Sequence, residues 1–406
     1  MNVIRFPNLI TRLPRTRRVF CRSLGSSIPF DLSLDTQVDR YSELNNMYTE
    51  MFTQGDEVRG TPKGDAGIEL SEIDAFNAEI ADTYNYSPQA ISGYSLEHIV
   101  KSPGRFILQS LSSNPYYNLA LEDYVFQNTT FAKGQPFLSE RLLFYINEKC
   151  VVIGKNQTPW KELHLDNCYE EGYKFVRRRS GGGAVVHDSG NVNYSYLTSR
   201  DNFDREYFNK QIVRWLKEIR PDAAIHLNQR GDIHLGAYKV SGSAFKIAKG
   251  KSYHHGTMLI DADLASFKGL LKPAHLEGVI WSGGSVESVR SSVKNISEAG
   301  FNNTDEFMDI CSNGFRSLLH EDIPVYFVDE VNTSNDEIAK TARQLASDEW
   351  LYHSGPSFTV TIQEHDVSVE KGTITKSSIP DTVGLSFKDF VLSLNAGLLA
   401  EIKTKI

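Results

Sequence analysis

Hydrophobic positions divide the chain into short strands and helices in mixed order, beginning near Phe106. Residues 118–126 predict a helix, opened by Asn114 and Pro115, an N-capping side chain followed by a proline that needs no N–H. Residues 142–146 and 151–153 predict two strands, joined by the turn residues Asn147, Glu148 and Lys149. A short helical stretch follows around 163–171. Tyr173, Phe175 and Val176 then lead into Arg177-Arg178-Arg179-Ser180-Gly181-Gly182-Gly183, and residues 191–197 alternate beyond it. That region reads as strand, glycine-rich turn, strand.

Phe208, Ile212, Trp215, Leu216 and Ile219 recur at helical spacing on one face, which marks a core-facing helix rather than a ligand box. A β-rich block follows, with strands predicted at 224–227, 232–235, 238–247 and 252–260. Turn signals at Gln229-Arg230-Gly231, Gly236 and Lys249-Gly250 separate them. Residues 305–319 predict a helix and 325–328 a strand. The polar run 332–336 predicts a linker. Beyond it lies a small unit with helices at 338–346 and 386–400 and strands at 358–362 and 367–369. No internal repeat is visible.

Charge separates the first hundred residues from the rest. Residues 1–30 hold six arginines and no acidic residue, interleaved with Val3, Ile4, Phe6, Leu9 and Leu13. This is the pattern of a mitochondrial transit peptide, with a disordered basic tail as the alternative. Residues 31–86 reverse the balance, with thirteen Asp or Glu against three Lys or Arg. They read as an acidic, partly disordered linker extending to 95, with a short helix near 68–84. The net charge of −8 over 406 residues argues against nucleic acid as the main partner. No apolar run reaches the roughly 18 residues of a membrane span. Cys21, Cys150, Cys168 and Cys311 are scattered without a C-x-x-C pair, which suits a reducing compartment and offers no zinc site.

Two stretches carry candidate chemistry. Three consecutive glycines let the backbone turn through positive φ and approach a ligand, and the preceding arginines favour a phosphate or carboxylate over a flexible basic tip. Within the predicted strand 238–247, Lys239, Ser241 and Ser243 share one face on a period of two, beside Gly242. Lys239 is either a solvated surface residue or a charge aimed into a site. Of His254 and His255, alternation allows at most one to line a site, so a metal held by both is excluded. The dinucleotide fingerprint fails because Val186 stands where its third glycine belongs, the P-loop fails at Phe245, and no G-x-S-x-G elbow occurs.

Taken together, Asn118 to Ala120, Val151 to Glu162, Arg178 to Asp188, Lys239 to Ala244, His254 to Leu259 and Ser288 to Asn295 resemble lipoate–protein ligase A. The resemblance runs from about residue 106 to the C-terminus, with the motifs in the same order. It implies an α/β (α+β) mixed-sheet catalytic domain of the biotinyl/lipoyl-ligase type over 96–328, and a small C-terminal accessory domain over 333–406. It implies an ATP-dependent enzyme that makes lipoyl-adenylate and passes the acyl group to a lysine of an acceptor. The acceptors would be lipoyl domains of 2-oxoacid dehydrogenase subunits and a glycine-cleavage H-type protein, in the mitochondrial matrix, with the enzyme a monomer.

By the same resemblance Lys239 is the catalytic charge. Arg178, Gly183, Ala184, Val185 and Val186 hold the adenylate with it. Ser180, Asn191 and His255 join Lys239 around lipoate, and Asp232 is the Mg²⁺ ligand. Gly231 departs from the family pattern, which has Asn before that Asp. The alternatives are a lipoyl or octanoyl transferase fed by a preformed donor, and a non-catalytic assembly factor. A thioester route has no cysteine near Lys239, since none lies between Cys168 and Cys311.

Overall fold

Six strands make the central sheet of the computed structural model, which describes residues 89–130, 136–273 and 275–393. The leader, nearly all of the acidic segment and the helix expected near 68–84 lie outside the described residues. In chain order the sheet takes β1 (Phe106–Ser110) and β2 (Arg141–Tyr145), then, after three strands of another sheet, β6 (Asn191–Ser199). It ends with β10 (Ser243–Ala248), β11 (Lys251–Leu259) and β13 (Val325–Val328), in the spatial order β10-β11-β6-β2-β1-β13. β2, β1 and β13 run parallel, and the other neighbours are antiparallel.

Helices cover both faces. α2 (Pro115–Asn128) is buried along nearly its whole length because it fills the space under one face, where Tyr124, Val125 and Phe126 meet Leu108, Leu143, Leu197 and Tyr253. Asn114 caps it as expected, accepting from the Tyr116 amide at 3.1 Å. On the other face α5 (Tyr207–Ile219) and α6 (Thr304–Leu319) bring Phe208, Trp215, Phe307 and Phe315 onto Tyr194 and Tyr196. The alternation of β6 thus sends even-numbered aromatics to α5 and α6. Its odd-numbered Asn193 faces the other way, into the cavity described below.

A second, three-stranded sheet is ordered β4-β3-β5, from β3 (Cys150–Ile153), β4 (Lys174–Arg177) and β5 (Val185–His187). The short helices α3 (Pro159–Glu162) and α4 (Leu165–Glu170) lie between β3 and β4. A third sheet joins β7 (Ile225–Leu227), β8 (Ile233–Leu235) and β9 (Tyr238–Lys239).

The strand expected over 238–247 is broken. β9 belongs to the third sheet and β10 to the central one, because Val240 to Gly242 cross between them. The Val240 amide donates to the Ile233 carbonyl at 3.0 Å, and the Gly242 carbonyl accepts from the Thr257 amide at 2.9 Å. Lys239, Ser241 and Ser243 therefore do not share a strand face. Ser241 is buried against the Tyr194 hydroxyl at 3.1 Å instead.

All the described residues fall in one compact unit. The last sheet, β12-β14-β15-β16, takes its edge strand β12 (Val279–Gly283) from before the expected boundary at 329–332. It pairs with β14 (Phe358–Ile362), which continues through β15 (His365–Glu370) and β16 (Thr373–Ser377). α7 (Asp336–Leu345) places Ile338 and Leu345 in the α2 core, and α8 (Phe387–Ser393) buries Phe387 and Phe390 under the last sheet. The rest of the helix expected over 386–400 lies outside the described residues. α1 (Gly93–Lys101) begins inside the expected linker, which is anchored where the Ile91 amide donates to the Phe327 carbonyl at 2.9 Å.

Candidate active site

The glycine loop crosses the end of β3, because β4 is parallel to β3 and β5 antiparallel to it. The crossing is tight. A Cβ on Gly154 would lie 2.1 Å from the Gly182 carbonyl oxygen, and Gly182 itself has φ +93°. Neither position accepts a side chain without moving backbone.

The three arginines diverge. Arg177 turns away from the loop, and its guanidinium donates to the carbonyls of Lys155, Gln157 and Leu351 at 2.7–3.1 Å. Arg179 pairs with Asp123 at 3.0 Å and lies over the Trp350 ring. Only Arg178 reaches the cavity, and its donors are already engaged. Nη2 donates to the Gly181 and Gly183 carbonyls at 2.7 Å each, Nη1 to the Val152 carbonyl and Nε to Ser180 Oγ. Arg178 is thus the internal brace of the loop, and burial lowers its pKa to about 10.

The loop walls a cavity of about 520 Å³. Its closed end is lined by the buried Leu119, Tyr145, Val152, His187 and Asn193, and its open end by the exposed Arg205, Arg230, Ile247 and Val289. Gly183, Ala184 and Val185 line it between, and Val186 does not. By strand alternation Val186 packs against the core of the last sheet. The Ala184 amide donates to Ser288 Oγ at 2.8 Å, and Ser288 Oγ donates to Glu162 at 2.5 Å.

Lys239 and Asp232 meet at the cavity wall, with Nζ 2.9 Å from Oδ2. Asp232 is the only carboxylate among the described lining residues. Gly231 before it has φ +78°, and its carbonyl accepts from Asn209 at 2.7 Å, so the departure from Asn serves the turn.

His255 lines the cavity and His254 does not, in keeping with their alternation. His254 turns to the aromatic core, 2.9 Å from Ser243 Oγ, and burial lowers its pKa to about 3. His255 Nε2 is 2.8 Å from Ser180 Oγ, and Nδ1 is 3.1 Å from both oxygens of Glu122. The Glu122 carboxylate only accepts, so His255 Nδ1–H donates to it, and in the neutral ring Nε2 accepts from the Ser180 hydroxyl. The order serine, histidine, carboxylate matches that of acyl-transfer triads. Here Ser180 is 1% exposed, lies outside the lining and accepts from Arg178, so it ties the loop to β11 and α2 rather than acting as a nucleophile.

Asn191 is fully buried, its side-chain amide has no hydrogen-bond partner among the described residues, and it lies outside the cavity lining; Asn193, one strand repeat along, lines it. Glu122, Asn193 and Ser288 were not foreseen. A glutamate inside the apolar run of α2 was the one signal that could have exposed Glu122, because a buried carboxylate needs a donor.

Residues 114–316 match the model of the lipoyl protein ligase A/B catalytic domain. A Saccharomyces cerevisiae protein provisionally assigned as lipoate–protein ligase A is 44% identical over 373 residues, covering 88% of this chain and 90% of that protein. The mitochondrial lipoyl amidotransferase of Homo sapiens is 35% identical over 262 residues, covering 64% of this chain and 68% of that protein. Among solved structures, a lipoate-bound protein of P. falciparum covers 74% of this chain and 98% of its own, with a TM-score of 0.53 at 24% identity, a likeness of fold. The chain belongs to the lipoyl protein ligase A/B catalytic family, in which its relatives are lipoate–protein ligases and lipoyl transferases.

Proposed function

We propose that this chain makes lipoyl-adenylate from lipoate and ATP and transfers the lipoyl group to a lysine of an acceptor protein. The observation that carries the reading is Lys239, held by Asp232 on the wall of a cavity that the glycine loop also lines. In the first step a carboxylate oxygen of lipoate attacks the α-phosphorus and pyrophosphate leaves. In the second the acceptor amine attacks the acyl carbon, AMP leaves and the amine gives up a proton. Negative charge grows beside the phosphate in one step and on the acyl oxygen in the other, and one ammonium between them serves both. A preorganised donor of this kind contributes about 3–4 kcal/mol in a transition state.

Arg178 braces the loop, and Gly183, Ala184 and Val185 line the cavity beside the phosphate. His255, backed by Ser180 and Glu122, and Asn193 in place of Asn191 line the acyl path. The open end carries Arg205 and Arg230, neither ion-paired among the described residues, and this suits a polyphosphate. One carboxylate is enough for Mg²⁺ that arrives with a triphosphate, since the ion takes its other ligands from phosphate and water. Asp232 would hold it, and the ion supplies neutralising charge on the phosphates.

A thioester route finds no support. Cys150, Cys168 and Cys311 are buried outside the cavity lining, and burial pushes the Cys168 thiol up to about 12.

The human relative is named as mitochondrial, and together with the basic leader this supports a mitochondrial location. The acceptors in this reading are the lipoyl domains of 2-oxoacid dehydrogenases and the glycine-cleavage H-type protein. Among the described residues no helix is long and apolar enough to cross a membrane. That same relative is named as an amidotransferase, which favours a second reading in which the lipoyl group comes from an already acylated carrier. Pyrophosphate release on mixing protein, lipoate and ATP decides between them. Its absence, with transfer from an acylated carrier intact, would establish the second.

A further inference from the structure

The closed end of the cavity contains a hydrogen-bond donor whose direction is set by a chain of four side chains. Asn118 is fixed first. Its Oδ1 accepts from Ser110 Oγ at 2.7 Å, and its Nδ2 donates to the Ser112 carbonyl at 2.8 Å and to Asn147 Oδ1 at 2.9 Å. With Oδ1 accepting, Asn147 presents Nδ2 as the donor to His187 Nδ1, 3.1 Å away. The Cys150 thiol lies 3.8 Å from the same nitrogen. His187 Nδ1 is therefore the acceptor of the neutral ring, and the ring proton sits on Nε2. Burial, with Arg178 and His255 nearby, lowers the His187 pKa to about 3, so no second proton is carried near neutral pH.

Nε2–H has no hydrogen-bond partner among the described residues, although His187 is only 4% exposed. β5 turns Val185 and His187 to the cavity and Val186 away from it. An unpaired buried donor is costly, and a ligand acceptor that reaches it removes the cost.

We propose that His187 Nε2–H is a specificity determinant that favours an acyl chain ending in a sulfur acceptor over one ending in methyl. This rests on the functional reading above. With the carboxyl group at Lys239, the buried lining residues Val152, Tyr145 and His187 are left to meet the acyl chain. The ring sulfurs of lipoate are weak acceptors, whereas the terminal methyl of octanoate accepts nothing and leaves Nε2–H unpaired.

Calorimetric titration of the purified full chain with lipoate and with octanoate tests this, alongside ¹⁵N NMR of the imidazoles. His187→Leu removes the donor. Asn147→Asp keeps the volume and the bond from Asn118, but makes Nδ1 the protonated nitrogen and Nε2 an acceptor. Both variants are expected to lower the lipoate-to-octanoate preference about five- to tenfold. Lipoate affinity should fall more than octanoate affinity in both variants, and the NMR signature of Asn147→Asp should move from Nε2–H to Nδ1–H. An unchanged preference in a folded Asn147→Asp protein whose tautomer has moved would overturn the inference alone. Wild-type protein that binds neither acid would overturn the functional reading as well.

Discussion

Lys239 Nζ lies 2.9 Å from Asp232 Oδ2 across the hairpin of β8 and β9, and the turn at Gly236, with φ +57°, closes that hairpin. The pair is only partly exposed, at 20% and 13% for the two side chains. The Lys239 backbone is held independently, since its amide donates to the Ser292 carbonyl and its carbonyl accepts from the Lys294 amide. Position and charge are thus set by different contacts, so the charge can be removed without loosening the strand.

Lys239→Ala should lower both adenylate formation and transfer by about 100-fold or more while the protein stays folded. Asp232→Asn should damage pyrophosphate release from lipoate and ATP far more than transfer from synthetic lipoyl-adenylate, because only activation handles a triphosphate. Single-turnover assays of each half-reaction separate the two effects. Equal losses in Asp232→Asn would make that residue a positioning group for Lys239.

Gly182→Val should abolish lipoate binding. At φ +93° its Cβ would lie 2.9 Å from Arg178 Nη2 and 3.3 Å from the Ala244 Cβ, displacing the brace that carries Gly181 and Gly183. A β-branched residue is also strained there by about 1–3 kcal/mol. Titration with lipoate, next to a thermal melt, shows whether the loss is local.

His187 and His254 both have pKa values lowered to about 3 by burial, below the ordinary value near 6.5. Between these values the unfolded chain binds protons that the folded chain refuses. Stability is therefore full above about pH 6.5 and falls as the pH drops towards 3, with each histidine contributing up to about 1.4 kcal/mol per pH unit. Urea unfolding at pH 7, 6 and 5 should show the decline, and His254→Phe should flatten it. A profile that does not change with pH would contradict the assignment.

Arg205→Gln and Arg230→Gln should each raise the KM for ATP several-fold and steepen no other step. Transfer from lipoyl-adenylate should keep its wild-type rate, and added salt should weaken ATP use less in the variants than in wild type. A rise in KM for the acceptor protein instead would assign the two arginines to acceptor docking.

The Asn114–Pro115 opening marked α2, and periodicity was enough for α5 and α6, whose buried positions recur at helical spacing. It also separated His254 from His255, because alternation is a local property of a strand. The resemblance in the ordered motifs brought out Lys239 and the glycine loop. Three things were decided only by the tertiary structure. The strand through 238–247 divides because Val240 and Gly242 bond to partners in two different sheets. The last sheet draws β12 across the expected boundary because an edge strand needs a partner, wherever in the chain it lies. Arg177, Arg178 and Arg179 are adjacent in sequence, yet they serve three separate structures, since each side chain is committed by carbonyls and carboxylates that local sequence cannot bring near. The chain of bonds from Asn118 through Asn147 to His187 spans three elements for the same reason. Spacing reveals which face a residue occupies, whereas a hydrogen-bond partner distant in sequence is supplied by the fold.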